Sequence, residues 1–599
     1  MLFQLTIIWI FLIGWVLGFP SNDKTNSTEE ILNQFGYDSE AVIPEEDIIY
    51  LNSLLNEEQT TKNALIILSN ISIISTDDQK ILGQVKTIDE LKTSSQLSKS
   101  IQILINNINI INEPQIHGSV REKITQTNGI RHDLRTSVSF RDYHVHLLFE
   151  KDPGERNILD HAVFNLQGNG KSMRWIIGDH QLEGGFGLIT WRATSPYKGF
   201  ETINVLTRKG KGLKPYRSSN EYWSTKGLGV QWESNFGEII FSIGNSLQDG
   251  KVENGKINID ETGLHITKND LTAENNLKEN SSTLLWSNDF FDNHIGIIIN
   301  NQRVVDLRKS TVFTKASGSV FTTGRWHNWE WFGESAIHNL QDISFLSGAL
   351  FRLKEIKYLV TIRSYPHHFR TYRSQPFSEW RGYQDGEKGV FQNVRVKMKN
   401  HVFALYSDIA HKIEEDSYSP YRLIKQENGI RWKWSHLVHQ IIIQFKQNSQ
   451  TSVEAYFPNN VNYSEIKRTT SKWQYQYKIN KRANIRWQIN TATFNMNPSW
   501  GYGLETRIRF KGNNYGATVS WIVSKVDDYN SRIYFWGLNL PGEMNSIAVS
   551  RDSQQIGARI QISDHSNYRI FIRYRVRWSF TTFKGTTDKT GALAIQINL

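Results

Sequence analysis

The chain has 599 residues and no cysteine, a net charge of +10 from 69 Lys or Arg against 59 Asp or Glu, and a hydrophobic share of 39%. Those figures exclude a disulfide scaffold, a thiolate metal site, a Cys nucleophile and a polytopic helical membrane protein. With 19 Trp, 23 Tyr and 30 Phe it is also too aromatic for a disordered chain.

The chain opens on an apolar run, Ile7 to Gly18, shorter than the ~20 residues a spanning helix needs. Gly18 ends the run, Val16 stands two before it, and Pro20-Ser21-Asn22-Asp23 follows. That is a signal-peptide pattern, with a short membrane anchor as the alternative. It predicts removal of residues 1–18 and export of the rest.

Residues 19–115 hold six Lys, no Arg and fifteen Asp or Glu, a net of −9, which leaves +19 on residues 116–599. The acidic part reads as a linker, 19–45, and a small helical domain, 46–115. Short apolar stretches at 29–35, 47–51 and 63–68 suggest helices. Thr76-Asp77-Asp78-Gln79 resembles a helix start, and Leu97, Ile101, Leu104 and Ile105 recur at helical spacing. The boundary falls near Glu113-Pro114-Gln115.

From 116 onward the period becomes two. Tyr568, Ile570, Ile572, Tyr574, Val576 and Trp578 alternate with Arg569, Phe571, Arg573, Arg575, Arg577 and Ser579. Leu504, Thr506 and Ile508 alternate with Glu505, Arg507 and Arg509. Similar patterns run through 394–399, 472–479, 482–490 and, at the end, 591–599. Each predicts a strand with one apolar face and one polar, mostly basic face.

A soluble sandwich and a transmembrane barrel both fit that pattern. Three features favour the barrel. The strands are long enough for a tilted crossing, ~10 residues. Aromatics gather at rims, as in Trp326, Trp329 and Trp331 or Trp432 and Trp434. The final strand has the form of an outer-membrane insertion strand, although Leu599 stands where an aromatic is usual. The expected fold is a large antiparallel barrel of about 16 to 22 strands over residues 116–599, an even number, at roughly 22 to 28 residues per strand and loop. The long polar stretch Gln248–Lys278 reads as a surface loop. Arg507, Arg509, Arg569, Arg573, Arg575 and Arg577 would line the lumen. There they would attract anions or an acidic plug, or brace the wall by pairing with inward carboxylates.

Four stretches carry a family resemblance. They are Ile177-Gly178-Asp179-His180-Gln181-Leu182-Glu183-Gly184-Gly185-Phe186-Gly187, continuing to Trp191; Gly212-Leu213-Lys214-Pro215-Tyr216 with Ser218 and Glu221; Thr262-Gly263-Leu264-His265-Ile266-Thr267; and Phe332-Gly333-Glu334-Ser335-Ala336. Together they resemble the helix-hairpin-helix (ComEA-like) domain-containing envelope proteins of Bacteroidetes and related phyla, which end in an outer-membrane β-barrel. Ile266 departs from the arginine of that pattern. The resemblance spans roughly 115 to 410 and rests most on Gly178, Asp179, Gly187, Pro215 and Tyr216, to which it assigns no role.

The resemblance also implies a DNA-binding helical module, for which Thr87-Ile88-Asp89-Glu90-Leu91 and Ser95–Ile110 are the matching parts. Such a module offers a Gly-x-Gly hairpin to phosphate. The corresponding stretches, 69–75 and 93–96, contain no glycine, and the segment is acidic. DNA binding is therefore not expected, and a domain that caps the barrel or docks a periplasmic partner fits better.

Other constellations are weak. Gly184-Gly185-Phe186-Gly187 lacks the Lys-Ser/Thr of a P-loop. Asp179 and Glu183 would share a strand face about 13 Å apart, too far for a retaining glycosidase pair. His180, His265, His367 and His368 offer a base by residue type alone, and His144 with His146 lacks a third metal ligand. The expectation is a non-enzymatic outer-membrane barrel, pore or envelope scaffold, with no cofactor. Its partners would be outer-membrane lipid and a periplasmic or envelope protein. DNA uptake and a secreted glycan-binding β-protein are the alternatives.

Overall fold

The computed structural model describes residues 28–598 apart from 36, 38–42, 44, 76–77, 80, 83–84, 86, 95, 111–115, 127–128, 156–160, 193–195, 197, 254–255, 261–262, 264, 340–341, 367–371, 381–385, 413–422, 456–460, 481, 513, 544, 565–567 and 581–584. The expected leader, the domain boundary at 113–115, Thr76-Asp77 and His367-His368 lie outside the described residues.

Period-two alternation produces antiparallel strands, and each pairs with its sequence neighbour from Ile116–Gln126 to Gly585–Asn598. The last strand then pairs with the first, Asn598 against Ser119 through Gly591 against Gln126, and closes the sheet. Among the described residues twenty-four strands form the ring. A twenty-fifth, Gly212–Pro215, pairs only with the end of Met173–Glu183 and sits inside it. Closure leaves no free edge, so every wall residue can satisfy its backbone within the sheet, as lipid requires.

The strand number exceeds the expected 16 to 22. Six hairpins turn on two residues, at 141–142, 235–236, 291–292, 327–328, 399–400 and 437–438, so the wall uses only about 20 residues per strand. In five of them the first residue takes a left-handed φ: Arg141, Phe291, His327, Lys399 and Leu437 lie between 47° and 53°. All six turns are at one end. The long connections, including 184–211, 249–276 and 527–551, are at the other. Short turns mark the periplasmic end of such a barrel and long loops the outside. Gln248–Lys278 is in one of those long loops, yet it is not irregular, because it holds the hairpin Gly250–Glu253/Lys256–Ile259 and the helix Lys268–Ala273.

The outer surface is a lipid face. Phe241, Ile243, Leu284, Ile297, Ile299 and Val320 come from four successive strands and are 41–57% exposed. At the short-turn end Trp434, His439, Tyr475 and Trp487 stack in a row across four strands, with centroids 5.8–6.5 Å apart and planes within 16°. Such an aromatic row belongs at a membrane interface. The soluble sandwich is thereby overturned, and the chain is an outer-membrane barrel.

The lumen is filled by two bodies of different character. One is the helical region, with helices Thr28–Phe35, Glu45–Asn56, Thr61–Asn70, Ile88–Thr93 and Lys99–Asn106. Side-chain caps start three of them, from Thr60, Thr87 and Ser98. Its buried core runs from Ile31 to Ile108 and includes no barrel residue. Thr28–Phe35 lies in the stretch expected to be a linker, but Ile31 and Leu32 belong to that core.

The second body is the connection 184–211, which folds inward. Phe186, Leu188, Ile189, Phe200, Ile203 and Leu206 share one apolar core with wall residues such as Ile298, Phe321, Phe332, Leu346 and Phe391. Phe186 meets Phe332 at 5.1 Å, and Phe200 meets Tyr406 edge-on at 4.9 Å. Six buried apolar side chains, at roughly 1.5–3 kcal/mol each, fix this segment to the wall by on the order of 10 kcal/mol.

Candidate functional site

The wall positions that face the lumen meet the helical region through polar atoms. Glu45, at the N-terminus of helix Glu45–Asn56, takes Arg135 Nη2 at 3.0 Å, the Ser219 amide at 3.1 Å and the Ser218 hydroxyl. Twelve residues is about 18 Å of helix. At the far end Arg569 Nη1 donates to Leu55 O at 3.1 Å and Asn56 Oδ1 at 3.0 Å, and Gln596 Nε2 donates to Asn56 O at 3.1 Å. Arg569 and Gln596 are near the periplasmic ends of their strands, whereas Arg135 is midway along its strand. The helical domain therefore enters the lumen from the periplasmic end and reaches the middle.

Between these ends is a buried charge cluster. Glu183 and Lys214 form a pair at 3.0 Å with neither side chain exposed. Arg192 and Arg208 approach Glu183 at 3.5 Å each. Glu46 of the helical domain docks here, 3.7 Å from Lys214 and accepting from Gln181 Nε2 at 2.6 Å. Burial pushes the Glu46 carboxyl up to about 7; Lys214 opposes the rise and Glu183 adds to it. Lys214 and Arg217 also lie over the Tyr50 ring, at 5.6 and 5.5 Å.

A cavity of about 950 Å³ occupies the outer half of the lumen on the side where first and last strands meet. Its floor includes Ile43, Glu45 and Ile48 of the helical domain. Its walls carry Lys123, Arg131 and Arg135 from the first strands, and Arg573, Arg575, Arg577 and Lys589 from the last. The inward hairpin Ile533–Trp536/Ser546–Val549 and its connection close one side. Asp133, Glu543, Glu45 and Asp588 are the lining acids, so cations exceed them by three. Asp133 is bound by Arg135 at 2.9 Å and lies 3.7 Å from Arg121. Glu543 pairs with Arg573.

Three of the six arginines singled out from alternation, Arg573, Arg575 and Arg577, line this cavity. Arg569 is below it and holds the helical domain. Arg507 is turned inward but pairs with Glu505 and donates to Trp536 O, bracing the hairpin; Arg509 follows on the same strand.

The stretches that carried the resemblance converge on the inward segment. Asp179 accepts from the Phe164 amide at 2.9 Å, its carbonyl accepts from the Tyr216 amide at 3.0 Å, and Pro215 pairs with His180. Gly178 takes φ +101° where it packs on the Phe164 carbonyl. Glu334 accepts the Phe186 amide at 2.6 Å and the Leu188 amide at 3.2 Å, so the fourth stretch clamps the turn of the first. Gly187 there has φ +90°, and a Cβ on it would meet the Gln375 carbonyl at 2.9 Å. These residues build the inward fold. His180 is spent on Ser242 at 2.8 Å and the Gly178 carbonyl at 3.0 Å, and His144 and His146 bond Ser139 and Ser137.

No family model matches the sequence, and no curated protein matches it. Among solved structures the chain is similar to the copper transporter OprC, at 8% identity over 82% of this chain and 83% of that chain, with a TM-score of 0.42. The siderophore receptor PirA from Pseudomonas aeruginosa gives 8% identity over 82% and 81%, with a TM-score of 0.39. The FrpB iron transporter from Neisseria meningitidis gives 7% identity over 82% and 83%, also at 0.39.

Proposed function

We propose that this protein is a non-enzymatic outer-membrane channel that is closed at rest, takes an anionic solute into the basic vestibule from outside, and admits it when the helical domain moves. The observation that carries the reading is the contrast between the two lumen bodies. The inward segment shares an apolar core with the wall, whereas the helical domain keeps its own core and touches the wall through ion pairs and hydrogen bonds. Buried ion pairs return little net stability because desolvation offsets their attraction. The helical domain is thus the body that can leave without unfolding the barrel. Its departure removes the vestibule floor.

A barrel of more than twenty strands leaves a lumen wide enough to need a plug. The vestibule volume suits a solute of small-molecule size. Its excess of cations favours anions. A scaffold role leaves this vestibule without a use.

The finer family reading, a ComEA-like module that handles DNA, is disfavoured by the domain's own bonding. In the first hairpin the Ser72 amide donates to Asp47 at 2.8 Å, and near the second the Ser98 amide donates to Asp78 at 2.7 Å. Carboxylates of the chain hold amides that a phosphate would need. The test is reconstitution of the full chain in planar bilayers. Rare openings with anion selectivity are expected, with selectivity lost when Arg573, Arg575 and Arg577 are all changed to Gln. Selectivity that ignores the triple change would refute the vestibule's role.

A further inference from the structure

A second constellation lies at the outer mouth, apart from the vestibule and the charge cluster. We propose that Glu221, Asp249 and His265, with His161 beside them, form a binding site for one divalent transition-metal ion. The ligand atoms of Glu221, Asp249 and His265 all lie within 4.8 Å of one another, and His265 Nε2 is 2.8 Å from Asp249 Oδ2. Four separate segments supply the group. Glu221 comes from the connection between strands Gly212–Pro215 and Thr225–Ser234, Asp249 directly follows strand Gly237–Gln248, and His265 comes from the surface loop before helix Lys268–Ala273. His161 begins strand His161–Asn169.

His161 is the independent observation. Its side chain is 8% exposed, its Nδ1 faces Glu221 Oε1 at 3.7 Å, and its Nε2 has no hydrogen-bond partner. Glu221, Asp249 and His265 offer three nitrogen and oxygen ligands, and a buried imidazole in that condition beside Glu221 is within reach to add a fourth, a donor set that suits Zn²⁺ and its first-row neighbours.

The surroundings orient these ligands. Asp249 Oδ1 accepts the Asn275 amide at 2.8 Å, and Glu155 Oε1 accepts the His265 amide at 3.0 Å, so both loops are held from behind. Gly263 takes φ +62° where a Cβ would stand 3.0 Å from the Glu221 carboxyl carbon. Its bare backbone leaves the carboxylate its place. The sequence offered His265 only as a residue type and gave Glu221 no role. They are forty-four positions apart and meet where two connections of the outer mouth fold against each other. A bound ion ties the connection before strand Thr225–Ser234 to the outer loops at the mouth.

The test is Zn²⁺ titration of the full chain in detergent by calorimetry, with the heat-dependent gel shift of the barrel as the check on folding. One Zn²⁺ per chain is expected for the wild type. Glu221→Gln and His265→Ala should each weaken binding about 10- to 100-fold, and His161→Ala about 10-fold. His338→Ala, at a histidine elsewhere on the wall, should leave it unchanged. Absence of stoichiometric Zn²⁺ binding, or wild-type affinity in Glu221→Gln and His265→Ala, overturns the proposal. Should His265→Ala lose the gel shift, the isosteric Glu221→Gln decides alone.

Discussion

Lys214→Met removes the cation that separates Glu46 from Glu183. Both carboxylates are buried, and Lys214 stands 3.0 Å from one and 3.7 Å from the other. Breaking a buried pair by removing one partner costs about 3–5 kcal/mol. Arg192 and Arg208 still face Glu183 at 3.5 Å, so the burden falls on Glu46 and the low end applies. A loss of ~3 kcal/mol multiplies the undocked fraction of the helical domain by about 100. The assay is open probability in planar bilayers at pH 8, above the value of about 7 to which the wild-type site holds Glu46. Lys214→Met should open on the order of 100-fold more often than wild type. Adding Glu46→Gln removes the stranded charge and should return most of the closure. Wild-type behaviour in the single variant, or a double variant as open as the single, would refute the latch.

Further outcomes follow from the same geometry. Docking should weaken as pH rises, because Glu46 is held at about 7 when docked against 4.5 when free, so the docked state binds the extra proton. That contribution is complete below about 4.5 and gone above about 7, a span of ~3 kcal/mol, and it should appear as more frequent opening at pH 8 than at pH 5. Glu334→Ala leaves the Phe186 and Leu188 amides buried without an acceptor, at about 1–3 kcal/mol each, and should expose 184–211 to protease while the barrel stays heat-modifiable. Ile299→Arg puts a charge on the lipid face, costs about 2–4 kcal/mol, and should lower the yield of the folded gel band.

The barrel was legible because alternation is a local property. Arg569, Arg573, Arg575 and Arg577 face inward while Tyr568, Ile572 and Tyr574 face out, and the arginines' spacing alone implies that. The strand count was not legible. Phe291-Asp292 and Leu437-Val438 turn in two residues without the Gly or Asn that announces a tight hairpin, so an allowance of roughly 22 to 28 residues per strand and loop was too large. The helices of the acidic domain were readable from apolar spacing. Their place in the lumen was hinted at by −9 against +19 and by nothing else in the sequence. The inward segment was hidden because Phe186, Leu188 and Ile189 carry no local sign of the wall residues they pack on. Vestibule partners such as Lys123 and Glu543 are four hundred residues apart and meet only when the ring closes.

The central claim is that two bodies fill one barrel with different attachments, and native-state hydrogen exchange of the full chain in detergent tests it most directly. Helices Glu45–Asn56 and Thr61–Asn70 should exchange as a unit, faster at pH 8 than at pH 5 after correction for intrinsic rates. Residues 184–211 should stay as protected as the wall strands they pack on. Protection lost by both bodies together, at one rate and with one pH dependence, would contradict the account.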